Sequence, residues 1–365
     1  MATRYEERIT LKRPRILIVS PSDSSYGNNE PGDAMYQQLQ DIFKLGGFES
    51  KHCCISSIDE LNEILPSYNP DVAFCSFFRF PGTREGGGYL RDVFINQGIA
   101  WVGPFSSALE KTISHVKTKM NWHRCGVNTP EWFTLSKLKD GSIEGLPLLV
   151  NARHFPYIIR PANRINGQTS SEFFFANNRH ELYAQAGSFS ETYGEVIIER
   201  AFPRDDNVKE YTVSMIGNGA NTLISPVEII KSGESYEINN SRSAPIRAYR
   251  LVSEKKQREY ITAFAQKIFT ASQMRDCSIC RITQHDNQLF AEDVVGQPYV
   301  FDCDLEACSN AAGLNKEQYP NAIILSSIIG NLKLGHAFIP VPHALKKLIP
   351  TDIFNKLTQE DWEWE

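Results

Sequence analysis

The stretch Cys277–Gly313, CSICRITQHDNQLFAEDVVGQPYVFDCDLEACSNAAG, decides the fold. Two of its segments, Ser278–Thr283 and Tyr299–Ala307, are rich in β-branched or aromatic residues and are expected to be strands. In the second, Phe301, Cys303 and Leu305 alternate with Asp302, Asp304 and Glu306. Side chains two apart share a face of a strand, so three carboxylates would line one side. Acids at that pitch repel, and a hard divalent cation with oxygen preference would relieve the repulsion. A solvated acidic face of an antiparallel sheet is the plain alternative. Arg281, on the first segment, adds a fixed positive charge suited to an anion. A metal beside an arginine is what phosphoryl chemistry needs.

The cysteines allow another reading of the same stretch. Cys277 and Cys280 form C-x-x-C, with Cys303 and Cys308 following, and four thiolates suit zinc. Three residues apart on a strand, however, Cys277 and Cys280 point to opposite faces, and no Gly or Pro turn separates them. Buried small hydrophobes are the expectation. All eight cysteines are scattered, as in a reducing, cytoplasmic protein without a disulfide framework.

Outward from this stretch, 365 residues imply two or three domains, and 41% hydrophobic with 22% charged residues is globular composition. A net charge of -5 gives no basic field for nucleic acid, and no apolar run is long enough for a membrane span. RILIVSPS (Arg15–Ser22) reads as a buried parallel strand entering a binding loop, DSSYGNNEPGD. Helices and strands alternate from there to IAWVG (Ile99–Gly103), the pattern of a doubly wound α/β sheet that binds ligands at its carboxyl ends. PGTREGGG (Pro81–Gly88) lies at such an end and is read as a ligand-approach loop or simply a flexible one. One helix is expected over Ser106–Cys125, and another over Glu254–Gln273 with Tyr260, Phe264 and Ile268 as its apolar stripe. FPYIIRP (Phe155–Pro161) enters ANRINGQTSSEFFF, a small-residue loop that reads as one folding over phosphates through backbone N–H groups or equally as a polar hairpin loop.

Four segments, in this order, resemble the D-alanine–D-alanine ligase branch of the ATP-grasp superfamily: PGTREGGGYLRDVFINQGIAWVGPFSSAL, VKTKMNWHRCGVNTPEWFTL, EVIIERAFPRDDNVKEYTVSMIG and CRITQ…DLEACSNAAG. The resemblance implies an N-terminal α/β domain (14–112), a lid (113–203), a C-terminal mixed-sheet catalytic domain (204–345) and a tail (346–365). It further implies ATP and Mg2+, amino acid or small-peptide substrates, a homodimer, and amide formation through an acyl phosphate. By position it gives Glu199 the adenine amino group and Glu210 the ribose hydroxyls. Arg281 takes the oxyanion of the tetrahedral intermediate and Glu306 a magnesium ion.

This sequence departs from the family pattern at several of these positions. Thr283 stands where the first metal-binding aspartate is expected, and Cys308 where an asparagine is. Arg160 replaces the strand lysine that touches phosphates. The helix lysine becomes His115, with Lys119 one turn on. Arg242 lies near Asn239–Asn240, which replace a lysine–tyrosine pair, and the phosphate-covering loop falls around Gly167 and Thr169. About ten extra residues are expected between the two core strands. Two readings follow. In one, an active ligase has a rearranged cation shell in which Asp302 or Asp304 joins Glu306, and Arg160 and Arg242 hold phosphates. In the other, a degenerate ATP-grasp scaffold binds nucleotide or peptide without turnover.

Overall fold

The computed structural model describes residues 13–22, 33–80, 88–137, 143–144, 155–164, 173–202, 207–230 and 248–359. The loops around Gly167 and Thr169, the Arg242 segment, residues 81–87 of the Gly-rich loop and most of DSSYGNNEPGD lie outside these ranges.

The apolar run at the start becomes β1 (Arg15–Pro21), buried along almost its whole length. It pairs in parallel with β2 (Glu49–Ile55) and β3 (Val72–Cys75), and β3 pairs with β4 (Ala100–Trp101). The order is β2-β1-β3-β4, with helices α1 (Asp33–Leu45), α2 (Ile58–Tyr68) and α3 (Leu90–Asn96) in the connections. Buried residues Tyr36, Leu39, Ile42 and Phe43 repeat at helical spacing and turn one face of α1 inward. This is the expected parallel α/β unit.

The helix expected over Ser106–Cys125 is two helices, α4 (Ser106–Ile113) and α5 (His115–Arg124). Ser114 takes an extended conformation and its side chain caps α5 by accepting from the Lys117 amide. At this break the backbone pairs with the chain beyond the next sheet: His115 N donates to Ala162 O at 2.9 Å and Arg164 N to Ile113 O at 2.8 Å. An uninterrupted helix would have used those groups internally.

Strands β5 (Trp132–Lys137), β6 (Ile143–Glu144), β7 (Tyr157–Pro161), β8 (Phe174–Ala176) and β9 (Glu195–Arg200) form an antiparallel sheet in the order β6-β5-β9-β7-β8. Helix α6 (Arg179–Tyr193) buries Leu182 and Ala186 against Leu135, Ile159, Val196 and Ile198.

The second antiparallel sheet, in the order β12-β11-β10-β13-β14, contains β10 (Val208–Asn218), β11 (Asn221–Ile230), β12 (Ala248–Leu251), β13 (Asp276–His285) and β14 (Gln288–Val295). Helix α7 (Lys255–Ala271) packs on one side through Ile261, Ala265, Ile268 and Phe269. That stripe is displaced from the expected one: Ile268 belongs to it, Phe264 is only partly buried and Tyr260 is 46% exposed. The other side carries α8 (Cys303–Ala311) and α9 (Tyr319–Lys333). Helix α9 is buried on nearly all sides, between this sheet and the N-terminal one. Its polar side chains bind across the junction: Ser327 Oγ donates to Trp101 O at 2.6 Å and Asn321 Nδ2 to Ile42 O at 2.9 Å. Helices α10 (His343–Leu348) and α11 (Thr351–Thr358) close the same core through Leu345, Ile353 and Leu357, so the segment expected as a tail is partly packed structure.

The main correction concerns the opening stretch. β13 forms as expected, but its partner is β14, and Tyr299–Ala307 is no strand. A two-residue turn, Asp286 (φ 48) and Asn287 (φ 64), joins the pair in the twist that favours hairpins. No long insertion separates the core strands. Asp302 caps α8 instead, its Oδ1 accepting from the amides of Asp304 (2.8 Å) and Leu305 (3.3 Å). The alternation of acids was real but local; capping of the helix satisfies backbone donors that the strand reading left out. The cysteine reading holds for three of the four: Cys277 belongs to the core under α9, Cys280 to the core under α7 on the opposite face of β13, and Cys308 is buried, whereas Cys303 is exposed.

Candidate functional site

Register brings two of the singled-out residues together. Ile158 on β7 lies opposite Glu199 on β9, and Arg160 lies opposite Ile197, so Arg160 and Glu199 are diagonal neighbours on one sheet face. Helix α5 supplies Lys119 to the same point. Lys119 Nζ lies 2.5 Å from Glu199 Oε1 and donates to Thr129 Oγ1 at 2.6 Å, while Arg160 Nη2 pairs with Glu199 Oε2. Lys119 and Glu199 are almost fully buried. Charges survive such burial only when paired. Burial depresses the Lys119 ammonium pKa, and Glu199 works against that shift. For Glu199, burial acts to raise the carboxyl, but Arg160 and Lys119 override it and hold it below the ordinary carboxylate value.

Beside this triad lies a second charged group. Arg164, which sequence reasoning missed, is buried and pairs through Nη2 with Asp293 on β14. Its Nη2 also reaches Val294 O at 3.0 Å and its Nε reaches Thr112 O at 2.7 Å. Arg164 thereby ties the lid side to the central sheet. His115 Nδ1 stands 3.9 Å from Asp293 Oδ1. Burial, then the charges of Arg160, Arg164 and Lys119, push His115 well below its ordinary pKa, so its ring is neutral. Three buried nitrogens of this group have no hydrogen-bond partner among the described residues: Arg160 Nε, Arg164 Nη1 and His115 Nε2. Buried polar nitrogens left without a partner are costly, and a water, an ion or a bound group would satisfy them.

The adjoining face of the central sheet collects oxygen ligands. Glu210 on β10 lies directly opposite Thr283 on β13, and Thr283 Oγ1 donates to Glu292 Oε1 on β14 at 2.5 Å. Burial and then the neighbouring Glu210 raise the Glu292 carboxyl. Arg281 stands two residues along the same face as Thr283 and pairs with Asp304 Oδ2 at 3.3 Å. Glu292 is the second residue missed by sequence reasoning. The Asp-Asn turn before LFAEDVV was the signal that placed it beside Thr283.

The expected carboxylate trio is arranged otherwise. Asp302, Asp304 and Glu306 lie at the cap and in the first turn of α8, not along a strand. Both oxygens of Asp304 are engaged, one by Arg281 and the other by Tyr249 Oη at 2.5 Å. Asp302 Oδ1 is engaged by the helix cap. Glu210 and Glu292 flank Thr283 on the neighbouring strands of the central sheet. Cys308, expected at a ligand position, is buried with Sγ 3.4 Å from Thr212 O.

Solved structures share this architecture. A D-alanine–D-alanine ligase from Bacillus anthracis, complexed with ATP, superposes with a TM-score of 0.65 at 16% identity, covering 89% of this chain and 100% of that one. D-alanyl-alanine synthetase A from Vibrio cholerae gives 0.63 at 14% identity, covering 87% and 99%. The VanG D-Ala:D-Ser ligase from Enterococcus faecalis gives 0.59 at 14%, covering 87% and 100%. At such identities the likeness establishes the fold. No curated protein matches the sequence. The family model described as D-ala D-ala ligase C-terminus matches residues 121–303, just over half of the chain and the span that holds Arg160, Glu199, Glu210, Arg281 and Glu292. The chain thus belongs to the D-ala D-ala ligase C-terminus family, within the ATP-grasp superfamily.

Proposed function

We propose that the protein is an ATP-dependent carboxylate–amine ligase that joins amino acids or small peptides. The observation that carries this reading is that Arg160 Nε and Arg164 Nη1, on neighbouring guanidinium groups, are buried donors lacking acceptors among the described residues, in a region that also holds the Glu210 and Glu292 carboxylates. An oligophosphate supplies the missing acceptors, and the fit of ATP is argued on that ground. Glu210 and Glu292 suit Mg2+ in donor chemistry, with the Thr283 hydroxyl beside them in place of the expected carboxylate. When bound, the ion neutralises phosphate charge.

The chain's own groups then have distinct tasks. Arg160 and Arg164 hold phosphate oxygens through permanent charges. Lys119 and Glu199 fix Arg160 in place. Glu199 takes the adenine role expected of it only if one of its oxygens turns from the lysine or the arginine to the base. Glu210 accepts from the ribose or the cation. Gly167, Thr169 and Arg242 retain the phosphate contacts that the resemblance assigns. The reaction transfers the terminal phosphoryl group of ATP to a substrate carboxylate oxygen, leaving ADP and an acyl phosphate. An amine attacks the acyl carbon, loses a proton and expels phosphate. Arg281, with its guanidinium at the same sheet face, stabilises the oxyanion formed on the way.

A non-catalytic nucleotide- or peptide-binding protein is the second reading. It is favoured by Thr283, which takes the place of an expected acid and occupies an oxygen of Glu292. The test is phosphate release by full-length protein with Mg-ATP and pools of amino acids. Release that depends on a particular pool supports the ligase; a flat signal across all pools, with ATP still bound, leaves the binding protein.

A further inference from the structure

A separate cluster lies in the N-terminal sheet, away from the site just described. Asp33, at the start of α1, and His52 and Cys54, on β2, each place one ligand-type atom within 4.8 Å of the others. His52 and Cys54 are two apart on a strand and share a face. Ser20, opposite Cys54 on β1, reaches both: its Oγ is 2.8 Å from His52 Nε2 and 3.3 Å from Cys54 Sγ. The Tyr36 ring stacks on the imidazole at 4.0 Å, which restricts its orientation. The cluster stands toward the carboxyl end of the parallel sheet, where α/β folds place ligands.

We infer that Asp33, His52 and Cys54 form a zinc-binding site with one coordination position left open to water or a small ligand. His52 Nε2 and Cys54 Sγ are 3.8 Å apart. Zinc bonds of ~2.3 Å to sulfur and ~2.0–2.1 Å to nitrogen, at a tetrahedral angle, set these atoms about 3.6 Å apart. The donor set is one thiolate, one imidazole and one carboxylate, which suits zinc and not magnesium or calcium. The neighbouring Cys53 is no competitor: one residue from each on the strand, it faces the other side of β2, and its Sγ donates to Ile18 O at 3.6 Å. Cation binding at Nε2 displaces the Ser20 hydrogen bond there and leaves that hydroxyl to the thiolate. By contrast, Asp302, Cys303 and Asp304 also cluster, but their carboxylates already serve the α8 cap, Tyr249 and Arg281.

The test uses untagged, chelator-stripped full-length protein titrated with Zn2+ against a chromophoric chelator, and with Co2+ as a spectroscopic probe. The expected result is one equivalent bound, a sulfur-to-cobalt charge-transfer band and tetrahedral d–d absorption. His52→Ala and Cys54→Ser each weaken zinc by about 100-fold or more, beyond the roughly 10–100-fold that loss of an outer-shell partner brings. Cys303→Ser retains it. Circular dichroism and thermal unfolding of the variants separate loss of ligand from loss of fold. No stoichiometric binding, full binding in both His52→Ala and Cys54→Ser, or a cobalt spectrum without the thiolate band overturns the site. None of these readouts involves ATP or turnover, so the site and the ligase reading fail independently.

Discussion

At the β5–β9 sheet, the lid side of the proposed architecture, Lys119 and Arg160 close on Glu199 and Arg164 closes on Asp293; on the central sheet, Glu210 and Glu292 share a face with Thr283 between them. Both regions are crowded with charge, yet they handle it differently. The lid side carries its counter-charges as side chains from several elements, so folding assembles them. The central face gathers like charges, and Glu292 responds by holding its proton more tightly. A fold tolerates the first arrangement without a ligand because pairing offsets desolvation. In the second, the Thr283 hydrogen bond and the Lys119 charge offset the burial of Glu292 only in part, and its carboxyl stays raised. Under the proposed function, the first region would serve as a preformed phosphate cradle and the second would take the cation.

The largest expected effect tests the lid side. Arg164→Ala leaves Asp293 buried and unpaired and removes the contacts to Thr112 and Val294. Breaking a buried pair from one side costs about 3–5 kcal/mol. Denaturant unfolding of the variant should show a loss on that scale; a loss under about 1 kcal/mol, typical of exposed pairs, would show that the seam is not closed. Next comes the central face. Glu292→Gln should cut amine-dependent phosphate release by about 10²–10³-fold, the usual scale for one preorganised electrostatic contact, while leaving unfolding stability unchanged or slightly raised. Unchanged turnover would move the cation elsewhere.

Much of the frame could be read from the chain. β1, with its unbroken run Ile16–Val19, and α1, with its Leu39–Ile42–Phe43 spacing, follow directly from burial period. Arg160, Lys119 and Glu199 were also recognisable, but as separate ligand contacts. That they pair with one another depends on a strand register and on the Ser114 break, which arise from long-range hydrogen bonds that no local pattern encodes. The acidic stretch reads as a strand because Phe301–Glu306 alternates, yet it forms the cap and first turn of α8. The competing signals were the Asp286–Asn287 turn and the capping capacity of Asp302, both short-range and both legible. Arg164 gave no signal of its own: an arginine in a polar loop looks solvated until tertiary packing buries it.

A smaller change sharpens the comparison by making the central face more acidic still. Thr283→Asp restores the carboxylate that the resemblance leads one to expect and removes the hydrogen bond to Glu292. If that face is a cation site, Mg2+ should bind about tenfold more tightly, roughly 1.4 kcal/mol, and the metal-free protein should lose stability from added repulsion. Calorimetric titration with Mg2+, without nucleotide, reads the first effect; unaltered affinity would mean that Thr283 does not face the ion.

The subtlest prediction concerns protons. Glu292 in the folded chain titrates above its ordinary value of 4.5, so the native state binds that proton more tightly than the unfolded chain does. Its contribution to stability is therefore full below that ordinary value and is lost as pH rises through the raised native one. The difference in unfolding free energy between wild type and Glu292→Gln isolates this group from other titrating residues. It should shift against the wild type as pH rises across that window. Saturating Mg2+ should flatten the shift, because a bound cation takes over from the proton in neutralising the pair. On the lid side, Glu199 is held below its ordinary value, so Glu199→Gln should give the opposite slope: wild-type advantage that fades as pH falls through the depressed native value. Two carboxylates at one cleft with opposite pH slopes would confirm the contrast; slopes of one sign would dissolve it.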